Sequence, residues 1–330
     1  MVEGSGSGET DGQQGVAGAG DGSSGAGVDP TAVFELLADE TRLSIVRELA
    51  VERYSNWRWS GKTFAELRRA VGVEDAGNFS YHLEKLRGRL VVKEGDEYYL
   101  LNHGLQIVGA VESGRYSDAS EVVRGATSYD CPYPDCERAL EGIYEDQYFR
   151  LRCPDHHRFA ATILPPTVAV AHSPDELVEI MTVDTRQEVQ RARAGVCPNC
   201  WGPVDVALPA EDPTLASQIE PDLPDDALLA TFDCRQCGLS FEMPPGACVV
   251  DHPAVVAFHH DHGEDIRGRP YVALPFCGIG RAALESEDPV RVRVDVRLDG
   301  DALHLWLDGE TDVVAYDREA NVGEVDRAAE

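Results

Sequence analysis

The sequence predicts an α+β fold made of a helical N-terminal domain with one β-hairpin, two cysteine-rich units that each carry a helix, and a C-terminal antiparallel β-meander. Three observations support this prediction. Apolar residues recur at helical spacing between Asp29 and Ser113, cysteine pairs follow between residues 131 and 237, and apolar and polar residues alternate beyond Pro289. The predicted segments are an acidic Gly/Ser-rich disordered tail (1–28), the helical domain (29–115), the two cysteine-rich units (116–194 and 195–288), and the meander with its tail (289–330).

Charge is distributed unevenly over residue types. The chain has 29 basic and 59 acidic residues, a formal net charge of −30, and its only lysines are Lys62, Lys85 and Lys93. An acidic composition poor in lysine resembles that of proteins from halophilic archaea. Charges are screened within about 3 Å at 1 M salt, so the acidity does not exclude a nucleic-acid partner.

Composition also predicts the compartment and the use of the cysteines. The longest apolar run, "FAATILPPTVAVA", is short for a membrane span and contains two prolines, and the first residues lack a signal-peptide pattern. We therefore expect a cytoplasmic protein without a membrane partner. Nine cysteines in such a chain favour metal sites over disulfides.

Helix signals follow one another through the N-terminal domain. "DPTAVFELLADETRLSIVRELAVER" predicts two helices, and in "TFAELRRAVGV" Thr63 and Glu66 have the spacing of a capping box, with Gly72 closing the helix. Asp75 can cap a fourth helix, "LVVKEGDEYYLL" predicts a hairpin around Gly95-Asp96, and "HGLQIVGAVES" returns to helix. This order of elements is typical of a winged helix-turn-helix.

Two stretches carry a resemblance to a known family. "LADETRLSIVREL" and "FSYHLEKLRGRLV" are similar to the helix pair and the recognition helix of ArsR-family transcription regulators. The resemblance covers Asp29 to Ser113 and implies a DNA-binding regulator that reads an operator in double-stranded DNA as a homodimer. Because no cysteine occurs between Asp29 and Ser120, we do not expect a thiolate sensor site on these helices.

The predicted DNA contacts lie on and near the second helix of the helix-turn-helix. With Phe79, Leu83 and Leu86 facing inward, the outer face presents the side chains suited to base edges and phosphates. The predicted contacts are Asn78, Ser80, Tyr81, Lys85, Arg68 and Lys62. Residues 57–93 hold eight basic and four acidic residues, which supports this surface. The alternative is a winged helix used only for protein contacts.

Cysteine spacing predicts two structural zinc ions per chain. "CPNC" and "CRQC" form a zinc-ribbon pattern of two C-x2-C knuckles, and four thiolates are a complete tetrahedral ligand set for Zn²⁺. The ligands of this site are Cys197, Cys200, Cys234 and Cys237.

The first cysteine cluster is assigned by aligning it with the second. The stretches that begin at Cys153 and Cys234 each continue as knuckle, strand, Pro-Pro, strand and a helix opened by proline, with Pro166 matching Pro245 and Pro174 matching Pro253. This register predicts tandem zinc-ribbon-plus-helix units. The first site then has the ligands Cys131, Cys136, Cys153 and His156, with His157 as the less favoured alternative.

The remaining motifs have more than one interpretation. In "FHHDHGED", His259, His260 and His262 suit a metal or acid–base chemistry, but an amphipathic helix with Val255, Phe258 and His262 inward is the favoured reading. Cys248 and Cys277 lack metal spacing and are predicted to be buried. "VRVRVDVRLDGDALHLWLDGETDVVAYD" predicts a three-stranded meander.

We therefore predict a transcription regulator, not an enzyme, whose zinc-stabilised C-terminal half serves dimerisation or partner binding. Three alternatives stay open. They are a basal transcription accessory factor that contacts the polymerase machinery, a ligand-responsive sensor, and, last, a zinc enzyme centred on His259 and His262.

Overall fold

The computed structural model describes residues 30–55, 60–117, 122–131, 136–155, 158–209 and 227–320. The chain divides into two compact units, Met1–Val108 and Gly109–Glu330. Within the described residues there are nine α-helices and fourteen strands, and the strands form four antiparallel sheets. The predicted α+β class is therefore confirmed. None of the helices in the described ranges is long and apolar enough to cross a membrane.

The first unit contains four helices, the start of a fifth and one small sheet. Its elements are α1 (Pro30–Leu37), α2 (Glu40–Ser55), β1 (Lys62–Thr63), α3 (Phe64–Val71), α4 (Ala76–Leu86), β2 (Val91–Glu94), β3 (Glu97–Leu100) and α5 (Asn102–Glu112). The strand order is β1-β3-β2, so the two-residue β1 adds a third strand to the predicted hairpin.

Local signals begin and end α3 and α4 as predicted. Thr63 and Glu66 form a complete capping box at the start of α3, and Gly72 ends the helix with a left-handed φ of 78°. The side chain of Asp75 accepts a hydrogen bond from the N–H of Asn78 and caps α4. These caps fix where the two helices start, and so which side chains α4 exposes.

A single hydrophobic core fills the first unit. Phe79, Leu83 and Leu86 of α4 are buried, as predicted, and Phe64 meets the edge of the Phe79 ring with centroids 5.1 Å apart. The core also includes Ile45 and Leu49 on α2. Burying one face of α4 in this way leaves its opposite face exposed.

The second unit holds the cysteines and three sheets. Its strands are β4 (Val123–Asp130), β5 (Ala139–Glu145), β6 (Tyr148–Arg152), β7 (Arg158–Ile163), β8 (Val204–Ala207), β9 (Ala230–Cys234), β10 (Ser240–Met243), β11 (Ala282–Glu287), β12 (Val290–Leu298), β13 (Asp301–Leu307) and β14 (Val313–Glu319). Its helices are α6 (Pro166–Ala171), α7 (Pro174–Arg193), α8 (Pro245–Cys248) and α9 (Pro253–Asp261). The sheet orders are β4-β5-β6-β7, β10-β9-β8 and β11-β12-β13-β14.

The prediction of a strand after each Pro-Pro pair is wrong. Pro166 and Pro245 are instead the first residues of the short helices α6 and α8. The fixed φ of proline suits the first helical position, where its missing N–H is not needed. In both halves a strand is thus followed by a short helix and then by the predicted proline-opened helix, which begins at Pro174 or Pro253.

The C-terminal sheet has four strands where the sequence predicted three. The additional strand, β11, lies at the edge of the sheet and pairs with β12. Most of its side chains are exposed, so the alternation of apolar and polar residues that marked β12 and β13 is absent from it. An edge strand with few buried side chains lacks the alternation of apolar and polar residues by which a strand is predicted from sequence.

One continuous core joins the parts of the second unit. It contains Leu140 from the first sheet, Leu177 from α7, Phe232 from β9 and Leu305 from the C-terminal sheet. The two cysteine-rich segments and the C-terminal sheet therefore share buried surface, although the sequence divided them among three segments.

Arginines of α7 connect this helix to distant loops. The Arg186 guanidinium donates to the carbonyls of Ile266 and Arg267, both at 2.7 Å, and Arg193 donates to the carbonyls of Cys248 and Thr311, both at 3.0 Å. The same guanidinium groups also pair with carboxylates, Arg186 with Asp251 at 3.3 Å and Arg193 with Asp312 at 3.2 Å, so each arginine joins α7 to segments far away in the sequence.

Replacing Glu188 with Gln is expected to stabilise the protein above neutral pH. Burial, and secondarily the charge of Asp184, raises the pKa of Glu188 to about 7 against the opposing effects of Arg191 and Arg115. The folded state therefore holds a proton that the unfolded state releases, and stability is lost as pH rises from about 4.5 to about 7. The variant should gain up to roughly 3 kcal/mol at pH 8 and change little at pH 4.

Chemical denaturation of parent and variant at the two pH values measures this difference. Glu179→Gln, on the same helix, is the control and should show no comparable gain. Equal stability changes at both pH values would contradict the assignment.

Candidate metal centres and nucleic-acid interface

Four cysteine sulfurs converge in the second unit. The Sγ atoms of Cys197, Cys200, Cys234 and Cys237 all lie within 4.8 Å of one another. Cys197 and Cys237 are 3.7 Å apart and Cys200 and Cys234 are 3.5 Å apart. A Zn–S bond of about 2.3 Å puts the sulfurs of a tetrahedral site about 3.8 Å apart, whereas a disulfide needs about 2.05 Å. The spacing fits a shared metal ion and not a disulfide.

Two turns of the same geometry hold these sulfurs. The N–H of Trp201 donates to the carbonyl of Cys197 at 3.1 Å, and the N–H of Gly238 donates to that of Cys234 at 3.2 Å. Both donors have left-handed backbones, with φ of 65° at Trp201 and 74° at Gly238. The left-handed residue turns the chain back over the sulfurs and lets each C-x2-C turn point both of its thiols the same way.

Hydrogen bonds around the cluster favour thiolates at some positions. The backbone N–H of Leu239 and the side-chain amide of Asn199 lower the pKa of Cys237 to about 6. The N–H of Gly202 also lowers the pKa of Cys200, but burial and hydrogen bonds with the other sulfurs raise it to about 12. A bound cation would lower the pKa of all four thiols, because it stabilises the four thiolates together.

The first cysteine cluster brings three sulfurs together. The Sγ atoms of Cys131, Cys136 and Cys153 lie within 4.8 Å of one another, with Cys136 and Cys153 3.8 Å apart. Cys131 and Cys153 are buried. Beside the cluster, Arg138 and Asp155 form an ion pair of 2.7 Å between the chain segments that carry the cysteines. Three thiols at this spacing could hold a metal ion with one further ligand.

The predicted fourth ligand of the first cluster, His156, lies outside the described residues, as does His157. The assignment of His156 from the repeat register therefore stays a prediction. In the second cluster, Asn199 is a contact that the sequence reading did not single out. Its side-chain amide is 3.6 Å from the Cys237 sulfur, and its position between the first two cysteines of the ribbon pattern was the available signal.

The outer face of α4 presents the predicted polar side chains. Asn78, Tyr81 and Lys85 are exposed, and Ser80 is partly buried. The Lys85 ammonium lies 5.4 Å from the centre of the Tyr81 ring, a cation–π distance that keeps the two side chains together. The Asn78 amide oxygen is 3.2 Å from His82 Nε2, so one polar atom of Asn78 is used inside the protein.

The two other predicted DNA contacts have partners within the first unit. Lys62 Nζ is 2.9 Å from Glu52 Oε2, and the Lys62 side chain is only 20% exposed. Arg68 donates to the carbonyl of Glu74 at the end of α3. The charge of Lys62 is therefore already neutralised by Glu52. Lys85, in contrast, has no carboxylate partner within the described part of the chain.

The histidines of "FHHDHGED" do not converge. His259 is buried and its Nδ1 lies 2.9 Å from the carbonyl of Val255, while His260 is exposed. His262 Nδ1 lies 2.7 Å from the carbonyl of Phe258 and its Nε2 is 3.4 Å from Asp301. As predicted, Val255 and Phe258 are buried, and the sequence did not predict that His259 is buried with them. Cys248 and Cys277 are also buried, as predicted, and belong to neither cluster.

Family models match both units. A model described as "Domain of unknown function (DUF7351)" matches residues 129–313, more than half of the chain. The chain belongs to the DUF7351 family. The DUF7351 match spans both cysteine clusters and most of the C-terminal sheet, and a second model, "Domain of unknown function (DUF7347)", matches residues 30–111. Among curated proteins and solved structures, no match is found.

Proposed function

We propose that the protein is a DNA-binding transcription regulator in which the first unit is a winged helix-turn-helix of the ArsR type. The observation that carries the proposal is the geometry of α4. Its apolar face is buried against α2 and α3, its start is fixed by the Asp75 cap, and its other face exposes Asn78, Tyr81 and Lys85. A recognition helix needs this combination of a rigid base and a polar face.

In this proposal each cysteine cluster holds one structural Zn²⁺. The sulfur spacing of 3.5–3.8 Å in both clusters supports a tetrahedral thiolate site. The first site is completed by His156, and both belong to zinc-ribbon-like units. Metal bound there would stabilise the second unit, which we assign to dimerisation or partner binding.

A genome-wide map of bound sites tests the proposed function. An operator-specific regulator gives a small number of sharp peaks that share a sequence. Occupancy at most promoters would instead indicate a basal factor that contacts the transcription machinery, and no enrichment on DNA would reject the proposal.

DNA affinity is expected to depend only weakly on salt and to persist in molar KCl. Phosphate contacts usually make affinity fall steeply with salt through counterion release. Here Lys62 is already paired with Glu52, and the chain carries a net charge of −30, so few counterions are released. At low salt the acidic chain repels DNA and itself, which weakens binding.

Fluorescence anisotropy with a labelled operator from low to molar KCl measures this slope. A conventional basic winged-helix protein on its own operator is the control. A steep and continuous loss of affinity with rising KCl would contradict the prediction.

The His156→Ala variant is expected to reduce the zinc content from two ions per chain to one. Three thiols at the first cluster leave one ligand position, and the repeat register assigns it to His156. His157→Ala is the matched control and should retain both ions. Elemental analysis of the purified proteins decides between them, and a full complement in His156→Ala would show that the register is wrong.

A further inference from the structure

The second unit contains a cavity of about 800 Å³ between α9 and the C-terminal sheet. Its walls come from His259 on α9, the turn around Phe276, the start of β11 and the end of β12. Small-molecule sites in proteins usually have volumes of about 300–1,000 Å³. The cavity is therefore large enough for a metabolite.

The C-terminal sheet leaves part of a strand open to this cavity. β11 pairs with β12 only as far as Ala282, which lies opposite Val294. Residues 295–298 of β12 continue past that point and line the cavity, while their other edge pairs with β13. Backbone N–H and C=O groups alternate between the two edges of a strand, so some of those on the β11 side are available to a ligand.

The cavity is lined by four arginines and by four carboxylates, which are Glu264, Asp295, Asp299 and Asp301. Arg269 pairs with Glu264 at 2.6 Å, and Arg293 pairs with Glu285 at 2.6 Å. Arg281 has no ion pair within the described residues, and Arg297 reaches Asp295 only at 4.0 Å. A guanidinium without an ion pair at the mouth of a cavity can bind an anionic group by charge-assisted hydrogen bonds.

His259 adds a polar atom to the wall of the same cavity. The side chain is 2% exposed, and its Nδ1 lies 2.9 Å from the carbonyl of Val255. Nδ1 must carry the proton to donate to a carbonyl, so in the neutral ring Nε2 is an acceptor. Within the described part of the chain no hydrogen bond to Nε2 is found, and because His259 lines the cavity this nitrogen can accept a hydrogen bond from a ligand. A ligand hydroxyl would satisfy it.

We propose that this cavity binds a small hydroxylated carboxylate, with Arg281 and Arg297 binding the carboxylate and His259 Nε2 accepting a hydrogen bond from the hydroxyl group. The planar guanidinium matches a carboxylate through two parallel hydrogen bonds. This site goes beyond the proposed function and is independent of it, because neither the cavity nor its ligand involves the first unit. In a transcription regulator such a ligand would be the effector.

The test uses the full-length, zinc-loaded protein in molar KCl and no DNA, so that its outcome is separate from that of DNA binding. Isothermal titration compares L-malate with succinate, which differs only by lacking the hydroxyl group. Malate should bind about tenfold more tightly, which is the net contribution of about one hydrogen bond. Zinc content after titration shows whether either acid has removed metal.

Variants separate the two contacts. Arg281→Gln, at an exposed position that should not affect folding, is expected to weaken both acids, and His259→Leu should abolish the difference between them. Arg267→Gln, which changes an exposed arginine that does not line the cavity, is the control and should bind like the parent. The proposal is overturned if the parent binds neither acid, binds both equally, or binds them no better than Arg281→Gln.

Discussion

Replacing Cys234 with Ser should reduce the zinc content from two ions per chain to one and unfold much of the second unit. Cys234 is buried at the end of β9 and contacts Cys200 at 3.5 Å, so no water-exposed ligand can take its place. Zinc binding in a structural site contributes on the order of 10 kcal/mol to folding, which is comparable with the whole stability of a domain. Because Phe232, on the same strand as Cys234, belongs to the core of the second unit, the loss should spread beyond the knuckle.

Elemental analysis gives the metal count, and near-UV circular dichroism with denaturant titration reports the packing of the second unit. Cys248→Ala is the matched control, because Cys248 is equally buried but belongs to neither cluster. It should keep both ions and cost roughly 1–2 kcal/mol. An unchanged zinc content in Cys234→Ser would reject the second cluster as a metal centre.

Combined replacement of Asn78, Ser80 and Tyr81 with Ala should abolish operator recognition while the protein stays folded. All three lie on the polar side of α4, whose packing depends on the opposite face. Asn78→Ala alone should cost about 1–3 kcal/mol of discrimination if its amide contacts a base. Footprinting and competition with altered operators measure both effects.

Single variants distinguish base contacts from phosphate contacts. Lys85→Ala should weaken all DNA sequences alike and lower the salt slope by about 1. Lys62→Ala should have a smaller effect, because Glu52 already neutralises this ammonium group. Tyr116→Ala, which removes a tyrosine that is 74% exposed in the second unit, is the control for Tyr81→Ala. If the triple variant protects the same operator with unchanged affinity, α4 serves protein contacts instead.

Features that depend on neighbouring residues could be predicted from the sequence. The capping box at Thr63 formed as its spacing indicated, because it needs only residues three positions apart. The buried face of α4 followed from helical periodicity. The four cysteines of the second cluster also met as predicted, because each C-x2-C turn positions its own two sulfurs.

Features that depend on residues far apart in the sequence could not be predicted. The sequence did not predict β11, because an exposed edge strand lacks the alternation that identifies its neighbours. It did not predict the pairing of Lys62 with Glu52, because these side chains meet only when β1 packs beside α2. The Pro-Pro pairs are compatible with a strand or with a helix start, and helix formation after them required the surrounding core.

By itself, then, the sequence determined the class of the fold, the caps and inward face of α4, and the grouping of cysteines into two clusters. Those properties arise from short-range hydrogen bonds, periodic burial and fixed spacing along the chain. Only the tertiary structure decided which charges were already neutralised and that His259 and Arg281 line one cavity. Ion pairs and cavities depend on the three-dimensional packing of residues far apart in sequence, such as the 22 positions that separate His259 from Arg281.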